Sequence, residues 1–444
     1  MSRNYRAYNQ EQNYLLPPSI KEWVPEDDLS HFVSDAVDQL NLSEFHKRYR
    51  IDGKGNAAYD PRMMLKVLIY GYSVGVFSSR KIAKSLERDV AFRMLGAGNF
   101  PNFRTINRFR LDNLEQFEKL FVEVVLLARE AGLAKLGVVA VDESKVKANA
   151  SKRKAMSYSR MEEEEKRLKE EIEQLTAQAQ QEDEQEDREH GKDKRGDELP
   201  EQLSKREKRL QTIQEAKQRI EQRQREKDKA SGRSEDDDKP ENRKGRRGPN
   251  FKRKFGEPKK EAQDNFTDPE SRIMKTSTQG FQQCYNAQTV VDGDEQIIVA
   301  ADVGDNACDV DQLVPMVDQV EQNTGKKPKR VLADSGYKSE SNFEQMKERQ
   351  ITAYVSLGRE GKKIEKIASD KKLTKAMKRR LDGTRGKKIY KKRKGIVEPP
   401  FGWIKSILGF GGFSLRGLEK VKAEWNLVCL AMNLKRMNQL IQWI

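Results

Sequence analysis

The chain has 444 residues, of which 35% are hydrophobic and 35% charged, and its 86 Lys and Arg against 71 Asp and Glu leave a formal charge of +15. Such a length predicts two or three folding units, and such a composition predicts that much of the chain is solvated helix or unpacked segment. Three scattered cysteines without a CxxC pair and three histidines argue against a zinc site or a disulfide framework, while the polar N-terminus and the lack of an apolar run of roughly 18 residues argue against a signal peptide or a membrane span.

The expectation is therefore a soluble protein of a reducing cytoplasm, whose metal, if it has one, is held by oxygen. A sequence pI near 9.4 fits a nucleic-acid partner, although ribosomal and membrane-surface proteins share it.

Residues 1–133 read as helical. Pro61 opens the run PRMMLKVLIYGYSVG, Ser78 or Ser79 caps SSRKIAKSLERDVAFRML, and Thr105 starts a long run to Leu133. Short helices with glycine turns and several cations suit a helix-turn-helix-like bundle, with Arg80, Lys81, Arg104, Arg108 and Arg110 as candidate DNA contacts. An ordinary bundle with a solvated basic face gives the same pattern. KLGVVAVD then predicts a buried strand ending on Asp142.

Residues 151–264 read as an insertion. Met161, Leu168, Ile172 and Leu175, then Leu203, Leu210, Ile213 and Ile220, predict two arms of a coiled-coil-like helical hairpin. The segments around them are too charged and too rich in Pro and Gly to pack, although the cations of RKGRRGPNFKRKFGEPKK suit a phosphate backbone. Strands resume at GFQQCYNAQTVVD and QIIVAADVG around the turn Gly293-Asp294, followed by a helix at DVDQLVPMVDQVEQNTG. A strand in KRVLADSGY ending at Asp334, a helix and a strand ITAYVSL complete a mixed α/β sheet. A basic linker leads to Glu398, which Pro399 and Pro400 place at the mouth of a helix.

Three acids share this context. An aspartate closing a strand often just caps the next element, and a glutamate at a helix start gains from the helix dipole. Together, however, Asp142, Asp334 and Glu398 form an oxygen donor set suited to Mg²⁺ or Mn²⁺, and two such ions would serve an in-line displacement at phosphorus. Tyr390, Arg393 and Lys405 flank Glu398, with Lys405 seven residues on and so on the same helical face, placed to hold DNA phosphates.

The chain resembles the DDE transposases of bacterial insertion sequences, and within them the insertion-sequence eleven-eighty-two subgroup. The resemblance covers nearly the whole chain, through YDPRMMLKVLIYGYSVGVFSSRKIAKSL, VAVDESKVKANASK, TDPESRIM, YNAQTVVD, VLADSGY, VEPPFGWIK and FSLRGLEKVKAEWNL. It implies an RNase H-like α/β catalytic core over 134–150 and 265–444, behind an all-α DNA-binding domain over 1–133. It also implies Asp142, Asp334 and Glu398 as catalytic and metal-binding residues.

Tyr390, Arg393, Glu398 and Lys405 are similar to a tyrosine-arginine-glutamate-lysine signature of related transposases. Four residues rather than three separate Arg393 from Glu398, which leaves Lys394 as a second choice for the phosphate-binding place. Glu143-Ser144 stands where the subgroup more usually has Gly-Thr. Glu143 is expected on the opposite strand face from Asp142 and outside the ligand set. Asp309 also falls at a recurrent family position.

The implied activity is cleavage at the ends of an insertion sequence and joining of 3′-OH ends to target DNA, with terminal inverted repeats and target duplex as partners. At least a homodimer on DNA and a nucleoid-associated place in a bacterial cytoplasm follow from the same resemblance. A DNA-binding or architectural protein without chemistry, or an inactive domesticated copy, would share much of this sequence.

Overall fold

The computed structural model describes residues 19–49, 57–190, 201–235, 253–276, 280–358 and 367–441, apart from the side chains of 178–190 and 201–202. The chain divides into two units, Met1–Val146 with Asn286–Ile444, and Lys147–Tyr285.

The first unit opens with helices α1 (Leu29–Gln39), α2 (Ser43–His46), α3 (Pro61–Ser73), α4 (Ser79–Arg88), α5 (Val90–Leu95), α6 (Phe103–Asp112) and α7 (Leu114–Glu130). Pro61 takes the first position of α3, where no N–H is needed, and the Asp60 carboxylate caps the Arg62 N–H at 2.7 Å. The helix expected from Ser78 to Leu95 is two helices. Asp89 interrupts it because its side chain accepts the N–H groups of Ala91 and Phe92 and so starts a new helix. The run from Thr105 is likewise split at Asn113, and its first helix begins earlier, where Asn102 caps Arg104. The strand β1 (Val139–Lys147) follows and runs beyond Asp142.

The second unit holds β2 (Ala155–Ser157), α8 (Tyr158–His190), α9 (Glu201–Ala230), β3 (Gln263–Asn265) and β4 (Arg272–Thr276). Helices α8 and α9 pack as an antiparallel pair, since Tyr158 bonds Glu221 near one end and Glu171 bonds Arg206 towards the other. Met161, Leu168, Ile213, Ala216 and Ile220 form its buried seam. Asp264 on β3 accepts from both Arg219 and Arg223 of α9, so the β2–β3 pair is tied to the helices by charge-assisted bonds. Most of the basic stretch proposed above as a phosphate clamp, residues 243–252, lies outside the described residues.

The main sheet is built on β5 (Gly280–Asp292), the long strand that continues from the second unit into the first. β5 pairs antiparallel with β6 (Ile298–Gly304), as the turn at Gly293-Asp294 predicts, and with β4 along its early residues. On its other side it pairs with β1. Bonds from Gly293 N–H to Val138 O and from Ala148 N–H to Gln283 O, at opposite ends, make that pair antiparallel. After α10 (Leu313–Thr324), β7 (Arg330–Ala333) joins β1 in parallel. Helix α11 (Glu340–Glu348) leads to β8 (Thr352–Val355), parallel to β7. An antiparallel three-strand run continued by two parallel strands, with helices packed on it, is the RNase H-like α/β fold.

The segment expected as a basic linker is instead folded over its described length into α12 (Lys372–Asp382), α13 (Thr384–Tyr390) and α14 (Lys392–Gly402). Thr374 and Met377 are its buried anchors. The final helix, α15 (Leu418–Ile441), packs on β6, α3 and α7. The Asn433 side chain pairs with both the N–H and the C=O of Ile298, acting as a strand partner for β6. This contact joins the N-terminal helices and the sheet into one core around the fully buried Trp425.

Candidate active site

The parallel register of β1 and β7 sets the site. Val139 lies opposite Val331 and Ala140 opposite Leu332, so continuing the count puts Asp142 opposite Asp334. Asp334 follows the last residue of β7 and caps a 3₁₀ turn, Ser335–Tyr337, by accepting the Gly336 N–H at 2.7 Å. A Cβ on Gly336 would lie 3.0 Å from the Asp334 carboxylate and 3.3 Å from that of Asp309, so a residue without a side chain lets both acids approach.

Asp142, Glu143 and Asp334 each offer a carboxylate oxygen within 4.8 Å of the other two, and among the described residues this is the one such group of three. Glu143 was expected on the other face of the strand. Alternation along a strand fixes where Cβ points, but the longer glutamate arm at the end of the paired region brings its carboxyl back to Asp142. Its neighbour along that face, Lys145, lies 3.3 Å from Asp309 and 4.0 Å from Glu143. Asp309 is buried and also accepts from Asn286 and Gln288 of β5, at 2.6 and 2.8 Å, while Tyr337 donates to Gln288. Lys145, Gln288 and Tyr337 lie inside the motifs VAVDESKVKANASK, YNAQTVVD and VLADSGY, but nothing in their spacing marks them as partners of the acids. Glu143 does give a signal, as a departure from the family pattern beside the first aspartate.

The electrostatics are those of a site short of positive charge. Burial raises the Asp142 pKa, the Asp334 carboxylate adds to the rise, and the Arg393 guanidinium opposes both. Glu143 is pushed up to about 8, first by burial and then by Asp309, Asp142 and Asp334, with Lys145 opposing. Burial, followed by the same four acids, drives the Tyr337 hydroxyl well above its ordinary value. The Glu143 Oε2 atom is buried without a hydrogen-bond partner.

Three convergent carboxylates, one of them with an orphaned oxygen, fit a hard divalent cation such as Mg²⁺ or Mn²⁺. The cluster suffices for one such ion.

A pH dependence follows. Glu143 binds its proton more tightly in the folded chain, about 8 against an ordinary 4.5. The stability this gives the metal-free protein is complete below 4.5 and is lost as pH rises through 8. Metal needs the carboxylate, so the rise in melting temperature produced by Mg²⁺ should grow over the same interval. Melting curves with Mg²⁺ and with EDTA at several pH values check this, and a pH-independent metal increment would contradict it.

The other expected site residues are placed as follows. Arg393, near the start of α14, is 12% exposed and lies 3.2 Å from Asp142 Oδ2, with its Nε lacking a hydrogen-bond partner. Tyr390 hydrogen-bonds to the same guanidinium. Lys405 lies over the Phe401 ring at 5.9 Å. Desolvation holds Lys405 below the usual lysine value, against the pull of Asp142 and Glu143. It sits in a π-helical turn, Trp403–Ile407, and not on a continued α-helix, so its expected alignment with Glu398 is altered.

Glu398 is not at a helix mouth. α14 runs through it and through both prolines, and the carboxylate is exposed and outside the acidic group of three. The helix tolerates Pro399 because Gln296 donates its side-chain amide to the carbonyl of Gly395, which the proline leaves without its helical partner.

Arg80, Lys81, Arg104 and Arg108 are exposed on α4 and α6, with Arg80 and Arg104 flanking Phe103 at 4.9 and 5.8 Å. Arg110 is not on that surface. It is 4% exposed, donates to Tyr72 Oη at 2.7 Å and lies 3.8 Å from the buried Glu424 carboxylate. Four residues after the buried Ile106, it shares the apolar face of α6, a spacing that marks it as a core residue.

Residues 253–434 match the family described as the transposase DDE domain, and residues 18–112 match the transposase domain DUF772. Asp334 and Glu398 fall within the first match, while Asp142 and Glu143 fall between the two. No curated protein and no solved structure matches the chain. The chain carries transposase domains in both its N-terminal and C-terminal parts. The DDE domain together with the acidic cluster supports catalytic, metal-dependent nuclease activity.

Proposed function

We propose that the protein is the transposase of an insertion sequence, of the eleven-eighty-two subgroup, acting on chromosomal DNA in a bacterial cytoplasm. It binds terminal inverted repeats, cleaves phosphodiester bonds at the element ends and joins the 3′-OH ends to target DNA. The observation that carries this reading is the pairing of Asp142 and Asp334 across two parallel strands, with the Arg393 guanidinium 3.2 Å from Asp142.

In this reading 1–133 recognises DNA ends, 134–150 with 265–444 performs the chemistry, and 151–264 is an inserted accessory segment. Asp142, Asp334 and Glu143 would hold a first divalent ion, with Glu398 completing the set for a second. Such ions would supply activation of the attacking oxygen and stabilisation of the leaving oxygen.

The chain's own residues do the rest. A DNA phosphate arriving at the site competes with Asp142 for the Arg393 guanidinium, whose Nε is ready to donate. Lys405 places a cation beside the acids, where it limits repulsion between them and the strand. Arg80, Lys81, Arg104 and Arg108 hold the duplex outside the site, while Arg110 stays in the core. Two ends must be joined in one event, which calls for at least a dimer on DNA.

The test is a joining assay: duplexes carrying the element's ends, a supercoiled target plasmid and Mg²⁺, with sequencing of the products. End-to-target joints made by the wild-type chain support the reading. Cutting without joints, or joints made equally from duplexes lacking the ends, would overturn it.

A further inference from the structure

We propose that α12, α13 and the first turn of α14 form a built, sequence-independent docking arm for double-stranded DNA, running from the β8 edge of the sheet to the acidic cluster. This deepens the transposase reading and rests on DNA being its substrate. Residues 371–395 contain 13 Lys and Arg and a single acid, Asp382, and so carry 12 of the chain's 15 net positive charges. Lys378, Arg379, Arg385, Lys387, Lys388, Lys391 and Lys392 are all exposed, and no carboxylate among the described residues pairs with them. Such a density of like charge repels itself and is held only where the fold holds it.

Here the fold does hold it. The Glu340 side chain accepts the N–H groups of Leu373 and Thr374 and so fixes the start of α12. Met377 accepts the Val355 N–H and Arg380 donates to the Ala353 carbonyl at 2.6 Å, so the open edge of β8 is covered by this helix. The elbow into α13 depends on Gly386, where a Cβ would lie 1.8 Å from the Arg380 carbonyl. At the far end Arg393 is tied to Asp142. The arm is therefore anchored along the β8 edge at one end and at Asp142 of the acidic cluster at the other.

The chemistry of the arm selects its occupant. At 1.5 Å per residue, α12 extends roughly 16 Å, about five base pairs of duplex, and α13 beyond the elbow roughly 10 Å, about three. The segment has one aromatic residue, the half-buried Tyr390, and so offers no platform for stacking unpaired bases. The segment has no Asn or Gln to read adenine, and a run of cations at this density chiefly meets phosphates, which position a duplex without reading its sequence. The arm thus takes duplex backbone on either side of the scissile bond.

The test is fluorescence anisotropy of the full chain in EDTA, with a duplex of arbitrary sequence, across a range of salt concentrations. Wild type is compared with a sextuple variant: Lys378→Gln, Arg379→Gln, Arg385→Gln, Lys387→Gln, Lys388→Gln and Lys391→Gln. A charge-matched control on the α8–α9 pair carries Lys166→Gln, Lys169→Gln, Lys205→Gln, Lys208→Gln, Lys227→Gln and Lys229→Gln. The arm variant should show a slope of log affinity against log salt shallower by roughly 0.9 per lost contact, about five in all, with the control near wild type. An unchanged slope, an equal loss in the control, or equal binding of single-stranded DNA by wild type would overturn the proposal. Because EDTA stops strand cleavage, none of these results depends on the catalytic assignment. The Mg²⁺-induced melting shift, measured on the same variant, shows whether the acidic site is intact.

Discussion

Asp334→Asn should lower Mg²⁺-dependent DNA cleavage by on the order of a thousandfold, because one metal ligand supplies several kcal/mol of transition-state stabilisation and each 1.36 kcal/mol is a factor of ten. Asparagine is the informative replacement. It can still accept the Gly336 N–H that starts the 3₁₀ turn, so local structure is kept. It also removes one negative charge from a cluster in which Asp142 and Glu143 are both raised by their neighbours. The metal-free variant should therefore melt at or above the wild-type temperature while losing the Mg²⁺-induced rise. Asp142→Asn should lose cleavage to a similar extent, and in addition it releases Arg393 from its ion pair. Single-turnover cleavage beside melting curves separates these effects, and Asp334→Asn cutting at the wild-type rate would remove Asp334 from the machinery.

The second large effect lies away from the chemistry. Glu424 on α15 is fully buried and accepts from Ser414 N–H at 2.9 Å, Leu415 N–H at 3.0 Å and the Ser414 hydroxyl, beside Tyr72 and Arg110. Glu424→Ala would leave the Arg110 guanidinium as an uncompensated buried charge, which costs about 3–5 kcal/mol. The double replacement Arg110→Met with Glu424→Leu should recover much of that loss, since removing both charges also removes their desolvation cost. Urea titrations of the two variants check this. An Arg110→Ala variant that bound DNA less tightly at unchanged stability would argue against its place in the core.

The aspartates were readable because their signal is local. An apolar run closed by Asp, found twice, is what two buried strands leading to an acid look like in sequence, although β1 continues past Asp142, and the register of β1 and β7 then brings the two together. Glu143 was not readable as a ligand, because alternation along a strand gives the direction of Cβ and not the reach of a four-atom side chain. Charge alone puts Arg110 among the DNA contacts, whereas its i+4 relation to Ile106 points it inward. The two prolines at 399 and 400 suggested a helix start at Glu398. The structure carries α14 through them with a side-chain donor from Gln296, 99 residues away in sequence, and no local rule anticipates that. The helices of the basic arm were hidden for the same reason. Their anchors, Glu340, Val355 and Ala353, belong to other elements.

The most direct measurement is a crystal structure grown with Mn²⁺, read by its anomalous scattering. A manganese peak bonded to carboxylate oxygens of Asp142, Glu143 and Asp334, with Arg393 drawn off Asp142, is the predicted result. A map without manganese among those three side chains, at a concentration that supports DNA cleavage in solution, would contradict the account.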